Sequence, residues 1–497
     1  MLPEPGAVPL GRSSPPFRPV RLPSGHPPDT MGPMDDEKGA TGSAAGKTPA
    51  GKAPAGKAPA RKAPARKAPA RKAPARKATA TATATTSAAS ASGPDRPDGE
   101  WGHAGPGPGG RPRGRALYNR RLQRDHERWP LVARVVTGLF ARPELGLSLL
   151  GARGPVEVEG RVLNPSTQLL LELSRRLPGG SPDPEGAGPG FDPVATRSQF
   201  TRMSRLGMPV RTDVHVTGRV IPGPTASTDL PVRIYRQFGT GLVGEPGRSG
   251  PPALMFFHGG GWVSGDLNSH DALCRLLAVT SRCIVVSVGY RLAPEDPFPA
   301  AVEDALAAYT WVQRHPDEVG HAGGRVGVSG DSAGGNLAAV VALETRPGRG
   351  GPDVPPPVAQ GLFYPVLDSR LDSPSLRSMG EGYFLTRQSM EVFRSLYLPD
   401  RSQWETGRAS PLLAGDHAGV APALVVTAGF DPLRDDGARY AEALVRAGVP
   451  VEYRCYDDQV HGFLGMGVLP DSLALTTEVG DALGRLMRQG APDGPGA

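Results

Sequence analysis

Gly330-Asp331-Ser332-Ala333-Gly334 sets a serine between two glycines in the pattern G-x-S-x-G. With 67 glycines in the chain that spacing alone decides nothing, but its flanks do. The apolar run RVGVS precedes it directly, and AGGNLAAVVALE, a helical pattern, follows. A serine on such a strand-to-helix turn sits on strained backbone, and its Oγ projects at the edge of a sheet. A hydroxyl is a weak nucleophile at neutral pH and needs a base, which in turn needs an orienting acid. On a turn of this kind both come later in the chain, the acid before the histidine. Downstream of Ser332 stand only His417 and His461. His461 lies in DDQVHGF, just past the strand-like run VEYRCY; His417 precedes the strand that should carry the acid, which is the wrong order. Asp431, in GFDPLRDDG after ALVVTAG, is the leading acid. Asp435 and Asp436 are rivals, but they open the next helix, where carboxylates favour the positive end of the dipole.

Attack on a carbonyl also needs donors for the oxyanion that forms. His258-Gly259-Gly260-Gly261-Trp262 follows the strand-like run ALMFF. Its three glycines allow main-chain N–H groups to turn inward toward one oxygen, and the N–H of Ala333 can join Gly259, Gly260 and Gly261 there. Trp262 and Asp331, next to the loop and the nucleophile, are candidates for the substrate pocket. The chemistry expected is acyl transfer through a covalent serine intermediate, with no metal and no organic cofactor implied.

These groups are far apart in the chain, so a sheet must gather them. VRTDVHVTGRVI (210–221) and LPVRIYRQF (230–238) alternate with period two and predict an antiparallel opening pair. Short apolar runs follow at ALMFF (253–257), CIVVSVGY (283–290), RVGVSG (325–330), AQGLFYPV (359–366), ALVVTAG (423–429) and VEYRCYD (451–457). Such runs suit strands buried on both faces. Helical patterns fill the gaps, as in DALCRLLAVTS, AAVEDALAAYTWVQRH and DDGARYAEALVRAG. The prediction is an α/β fold: a mostly parallel eight-stranded sheet with helices on both faces and its chemistry at the carboxyl ends of strands.

Composition sets this part off from what precedes it. Gly 67 and Pro 56 make up about a quarter of 497 residues, near the level of low-complexity sequence, and the excess gathers in residues 1–115. Residues 52–76 repeat KAPAG or KAPAR, and between Lys47 and Ala78 seven Lys and four Arg meet no acid. That local charge of +11 exceeds the +7 of the whole chain, so the remainder is net acidic and the basic balance says little about what the folded part binds. Regular prolines and no apolar side chain larger than Ala predict an extended, disordered tail. The repeat resembles the tails of linker histones, which implies weak, salt-sensitive and sequence-blind nucleic-acid or polyanion contact through residues 47–78. The alternative is an extension whose charge is incidental. Residues 116–158 read as a basic, partly helical linker and 490–497 as a disordered end. Cys274, Cys283 and Cys455 are widely spaced and offer neither a disulfide framework nor a CxxC metal site. With no signal-like apolar core and no run of about 18 apolar residues, the expectation is a cytoplasmic protein with no membrane span.

HGGGW (258–262), YRLAPE (290–295), GDSAGG (330–335), DPLRDDG (431–437) and HGF (461–463), in that order, resemble the hormone-sensitive-lipase-like family of α/β-hydrolases over about residues 160–488. The resemblance implies Ser332 as nucleophile, His461 as base and Asp431 as its partner. It implies oxyanion donors at Gly260, Gly261 and Ala333, with Gly259 helping to place them. It also implies an α/β-hydrolase domain over 159–489, with a helical lid drawn from about 160–205 and 367–410. In that lid Leu169, Phe384, Phe393, Tyr397 and Leu398 are candidates for pocket wall or for lid core, and Arg291 and Glu295 are expected to hold loops. The activity implied is hydrolysis of small short- to medium-chain carboxylic esters by a monomer or dimer. Amide or formamide deacylation on the same triad is the rival. A non-catalytic ligand receptor, which in this fold has lost the histidine, is the minor one.

Overall fold

The computed structural model describes residues 138–152, 154–176, 192–205, 211, 213–238, 250–349 and 351–489. The KAPAR repeats, the rest of the tail to residue 115, the linker up to 137 and the 490–497 end lie outside the described residues. Two short strands, β1 (Glu157–Val158) and β2 (Arg161–Val162), make an antiparallel ribbon. The main sheet holds β3 (Val214–Pro222), β4 (Asp229–Gln237), β5 (Ala253–Phe257), β6 (Ile284–Val288), β7 (Val326–Asp331), β8 (Gln360–Phe363), β9 (Ala423–Phe430) and β10 (Val451–Val460). Its order is β10-β9-β8-β7-β5-β6-β4-β3. β3 pairs antiparallel with β4, and β4 with β6, while all pairings from β6 across to β10 are parallel. The expected antiparallel opening pair and parallel body are both present.

Continuous apolar runs are needed here because each central strand feeds two cores. Ala253, Met255 and Phe257 of β5 face one side, and Leu254 and Phe256 the other. The first side is covered by helices Ala300–Arg314, Ala333–Glu344 and Arg434–Arg446, the second by helices Asp271–Ser281 and Ser472–Gln489. The chain leaves β5 for β6 on one side and returns to β7 on the other. β5 and β7 therefore flank the switch point, where the carboxyl ends of an open α/β sheet leave a crevice.

Two expectations about boundaries change. Helix Pro143–Leu149 belongs to the folded part, and Phe140 packs with Leu169 and Leu469 in a small cluster. Ser166 Oγ donates to the Phe140 carbonyl at 3.0 Å. The domain thus reaches upstream of residue 159, and Leu169, fully buried in that cluster, is lid core and not pocket wall. β8 stops at Phe363, short of the expected 366, because Tyr364 takes a left-handed φ of 36° and breaks the strand. Among the described residues no helix is long and apolar enough to cross a membrane, and all three cysteines are free.

Candidate active site

β7 ends at Asp331 and the next helix begins at Ala333, so Ser332 occupies the turn alone, with φ 55° and ψ −116°. That conformation is costly for a residue with a Cβ and persists because neighbours over-determine it. The Ser332 N–H donates to the Phe363 carbonyl at 2.8 Å, and the Ser332 carbonyl accepts from Asn336 and Val366 at 3.2 and 3.3 Å. Gly334 permits the tight start of the helix, since a Cβ there would run into the carbonyl of Phe257.

Three strand ends then meet. Asp431 follows β9 and His461 follows β10, both at the carboxyl edge. His461 Nε2 lies 3.0 Å from Ser332 Oγ, and Nδ1 lies 2.9 Å from Asp431 Oδ2. The other carboxylate oxygen of Asp431 accepts the Leu433 N–H at 2.8 Å. A carboxylate can only accept, so Nδ1 carries the ring proton and the bare Nε2 faces the hydroxyl. The ring of Tyr364 meets that of His461 edge-on at 4.9 Å. This is a hydroxyl, an imidazole and a carboxylate in hydrogen-bonded series, all buried, which can draw a proton off Oγ.

The rivals sit elsewhere. Asp435 accepts from Ser375 N–H at 2.7 Å and from Arg434 at 3.0 Å. Asp436 accepts the N–H groups of Leu367 and Asp368 at 3.3 and 3.2 Å, anchoring the root of the second lid segment. His417 donates to the carbonyl of Pro411 at 2.9 Å. Burial pushes the Asp436 carboxyl from its ordinary 3.8 up to about 8; the Leu367 N–H offsets part of this and the Asp368 charge adds to it. An acid protonated in the fold but ionised when unfolded contributes stability fully below about pH 4 and loses it as pH rises to about 8. Asp436→Asn keeps the accepting oxygen and removes that loss. Its unfolding midpoint should match the wild type near pH 4 and rise above it by pH 8; a constant difference across that range would contradict the assignment.

The glycine loop leaves β5 beside the nucleophile. Gly260 and Gly261 have φ of 115° and 62°, open to residues without a Cβ. Among the described residues their N–H groups form no bond, and the first amides of the Ser332 helix have no intrahelical partner. Gly259 is different. Its N–H donates to Asp331 Oδ1 at 2.8 Å, so it is not a free oxyanion donor; it anchors the loop. Asp331 correspondingly does not line a pocket, for its carboxylate is taken up by Gly259 and by His270 at 3.3 Å. Burial alone would push Asp331 up, but the His270 charge and the Gly259 N–H hold it below the usual carboxylate range. Trp262 is also not a pocket wall: it is 4% exposed and stacks on Tyr397 at 4.3 Å with the planes 8° apart. His258 Nδ1 donates to the Gly259 carbonyl at 2.9 Å. Burial, with repulsion from His270, lowers His258 to about 4, so it holds the loop as a neutral ring.

Lid segments close over this floor. The Phe393 side chain lies where a Cβ on Gly261 would be, its ring 2.5 Å from that point, and Phe384 approaches Gly462 beside the histidine. Tyr397 and Leu398 are buried and brace the lid instead. Arg197, on helix Pro193–Arg205, donates to the Val263 carbonyl at 2.7 Å, to that of Ala293 at 2.8 Å and to Glu295 at 2.6 Å. Arg291 pairs with buried Asp304 at 2.7 Å. Glu295 and Arg291 hold loops, as expected. Sequence reasoning missed His270 and Tyr364. His270 reads locally as the cap of helix Asp271–Ser281, and Tyr364 as one more apolar residue of its strand.

The fold and this serine-histidine-aspartate geometry define a class, and comparison with known proteins agrees. The signature of the family described as alpha/beta hydrolase fold matches residues 254–465. The chain is 42% identical over 338 residues to the carboxylic ester hydrolase LipN of Mycobacterium tuberculosis, covering 67% of this chain and 86% of that one. It is 40% identical over 238 residues to an ethyl acetate hydrolase of Pseudomonas putida, 48% of this chain and 72% of that one. Among solved structures, an ester hydrolase from the metagenome of Lake Arreo, complexed with a derivative of bipyridine phosphonate, aligns with a TM-score of 0.59 at 36% identity. That alignment covers 65% of this chain and 98% of the other. The chain belongs to the hormone-sensitive-lipase-like family of α/β hydrolases. Its enzyme class is the carboxylic ester hydrolases.

Proposed function

We propose that the chain hydrolyses small carboxylic esters of short to medium acyl length through an acyl-enzyme on Ser332. His461 takes the Oγ proton as the serine attacks the carbonyl, and Asp431 holds the imidazolium that results. The amides of Gly260, Gly261 and Ala333 receive the oxyanion. His461 then protonates the departing alcohol, and water repeats the sequence to release the acid. The observation that carries this reading is the unbroken series from Ser332 Oγ through His461 to Asp431, at 3.0 and 2.9 Å. Phe384 and Phe393, set over the histidine and the glycine loop, support a pocket of limited depth. The test is turnover of nitrophenyl esters of increasing acyl length beside the matching nitroanilide. Fast hydrolysis of the shorter esters, with the anilide slower by orders of magnitude, is expected; an anilide turned over as fast as the ester would instead make the enzyme an amide deacylase.

A further inference from the structure

The Asp331 carboxylate lies one residue from the nucleophile and is bonded to the loop that should receive the oxyanion. A bare negative charge in that place opposes the charge developing on the substrate oxygen. Its partner is His270, whose Nε2 is 3.3 Å from Asp331 Oδ1. On the other side of the ring, Nδ1 lies 2.9 Å from Ser269 Oγ. That hydroxyl accepts the Asp266 N–H at 2.9 Å and lies 2.8 Å from the Asp266 carbonyl, which ties the ring to the turn before its helix. Toward the acceptor-only carboxylate Nε2 must donate. Phe200, Phe256 and neutral His258 surround the His270 ring, with ring centroids at 6.1, 5.9 and 5.6 Å, and Asp331 is the carboxylate it meets.

We infer that Asp331 and His270 form a buried hydrogen-bonded pair that positions the glycine loop, the His270 Nε2–H satisfying a carboxylate that would otherwise oppose the oxyanion. The inference rests on the reading of Ser332 as nucleophile. Both are positioning residues, acting through the Gly259 amide and not on substrate. Removing the anchor should therefore slow the chemical step and leave ground-state binding alone. Removing only the His270 ring should hurt because a buried carboxylate is left without its donor, and neutralising that carboxylate should repair the damage.

The experiment measures kcat and KM on one short-chain nitrophenyl ester for the full chain, with thermal unfolding as a check on folding. Asp331→Ala should lower kcat roughly 100-fold with KM within about twofold. His270→Gln should lower kcat roughly 20-fold, as expected for an uncompensated buried charge. Asp331→Asn/His270→Gln should recover roughly fivefold over His270→Gln, a coupling that mere structural damage does not produce. If Asp331→Ala fails to fold, the comparison of His270→Gln with the double variant decides alone. A double variant no faster than His270→Gln, or losses confined to KM, would overturn the inference. A Ser332→Ala control that keeps full activity would instead overturn the reading beneath it.

Discussion

Ser332→Ala is expected to fold as the wild type does and to hydrolyse esters roughly 10⁶-fold more slowly, near the residual rate that binding and oxyanion donors sustain alone. His461→Ala should fall about as far. The pair acts as one unit, because every proton that His461 moves serves the making or breaking of the Ser332 ester, and its Nε2 is 3.0 Å from that oxygen. Ser332→Ala/His461→Ala should consequently be no worse than either single change. Asp431→Asn should lose roughly 10⁴-fold, since an amide at 2.9 Å from Nδ1 no longer enforces the productive tautomer. Steady-state turnover of a nitrophenyl ester on folded variants checks all four. Losses that multiply in the double variant would mean that the two residues act separately, against the geometry.

The second large effect concerns the glycine loop. Gly261→Ala should lower kcat by roughly 100- to 1,000-fold, the usual consequence of displacing one oxyanion donor. Two causes add. The φ of 62° is disfavoured for any residue with a Cβ, and the new Cβ would sit 2.5 Å from the Phe393 ring. Phe393→Ala in the same chain removes the second cause and leaves the first. Partial recovery of kcat is therefore expected in Gly261→Ala/Phe393→Ala. No recovery would place Phe393 away from the loop in solution, and full recovery would make the backbone strain irrelevant.

What could be read from residue order was whatever depends on neighbours along the chain. RVGVS against AGGNLAAVVALE placed a serine on a strand-to-helix turn, and the acid-then-histidine order singled out Asp431 and His461. Continuous apolar runs marked strands buried on both faces, down to the antiparallel pair that opens the sheet. What stayed hidden depends on which strands become neighbours. β5 and β7 are adjacent, and only that adjacency brings Gly259 to Asp331 and turns an apparent pocket acid into a loop anchor. Trp262 is paired with Tyr397 across 135 positions of sequence, too far for any periodic pattern to report. Helix Pro143–Leu149 falls within the basic stretch 116–158, whose composition reads as linker; its packing on Leu169 becomes visible only once the helix that carries Leu169 is in place.

The central claim is that one hydroxyl becomes acylated. Incubating the folded chain with a fluorophosphonate ester, then locating the adduct by peptide mass spectrometry, tests it most directly. One equivalent of phosphonate on the peptide bearing Ser332, absent after Ser332→Ala, is the result expected. An adduct on another residue, or labelling that survives Ser332→Ala undiminished, would contradict the account.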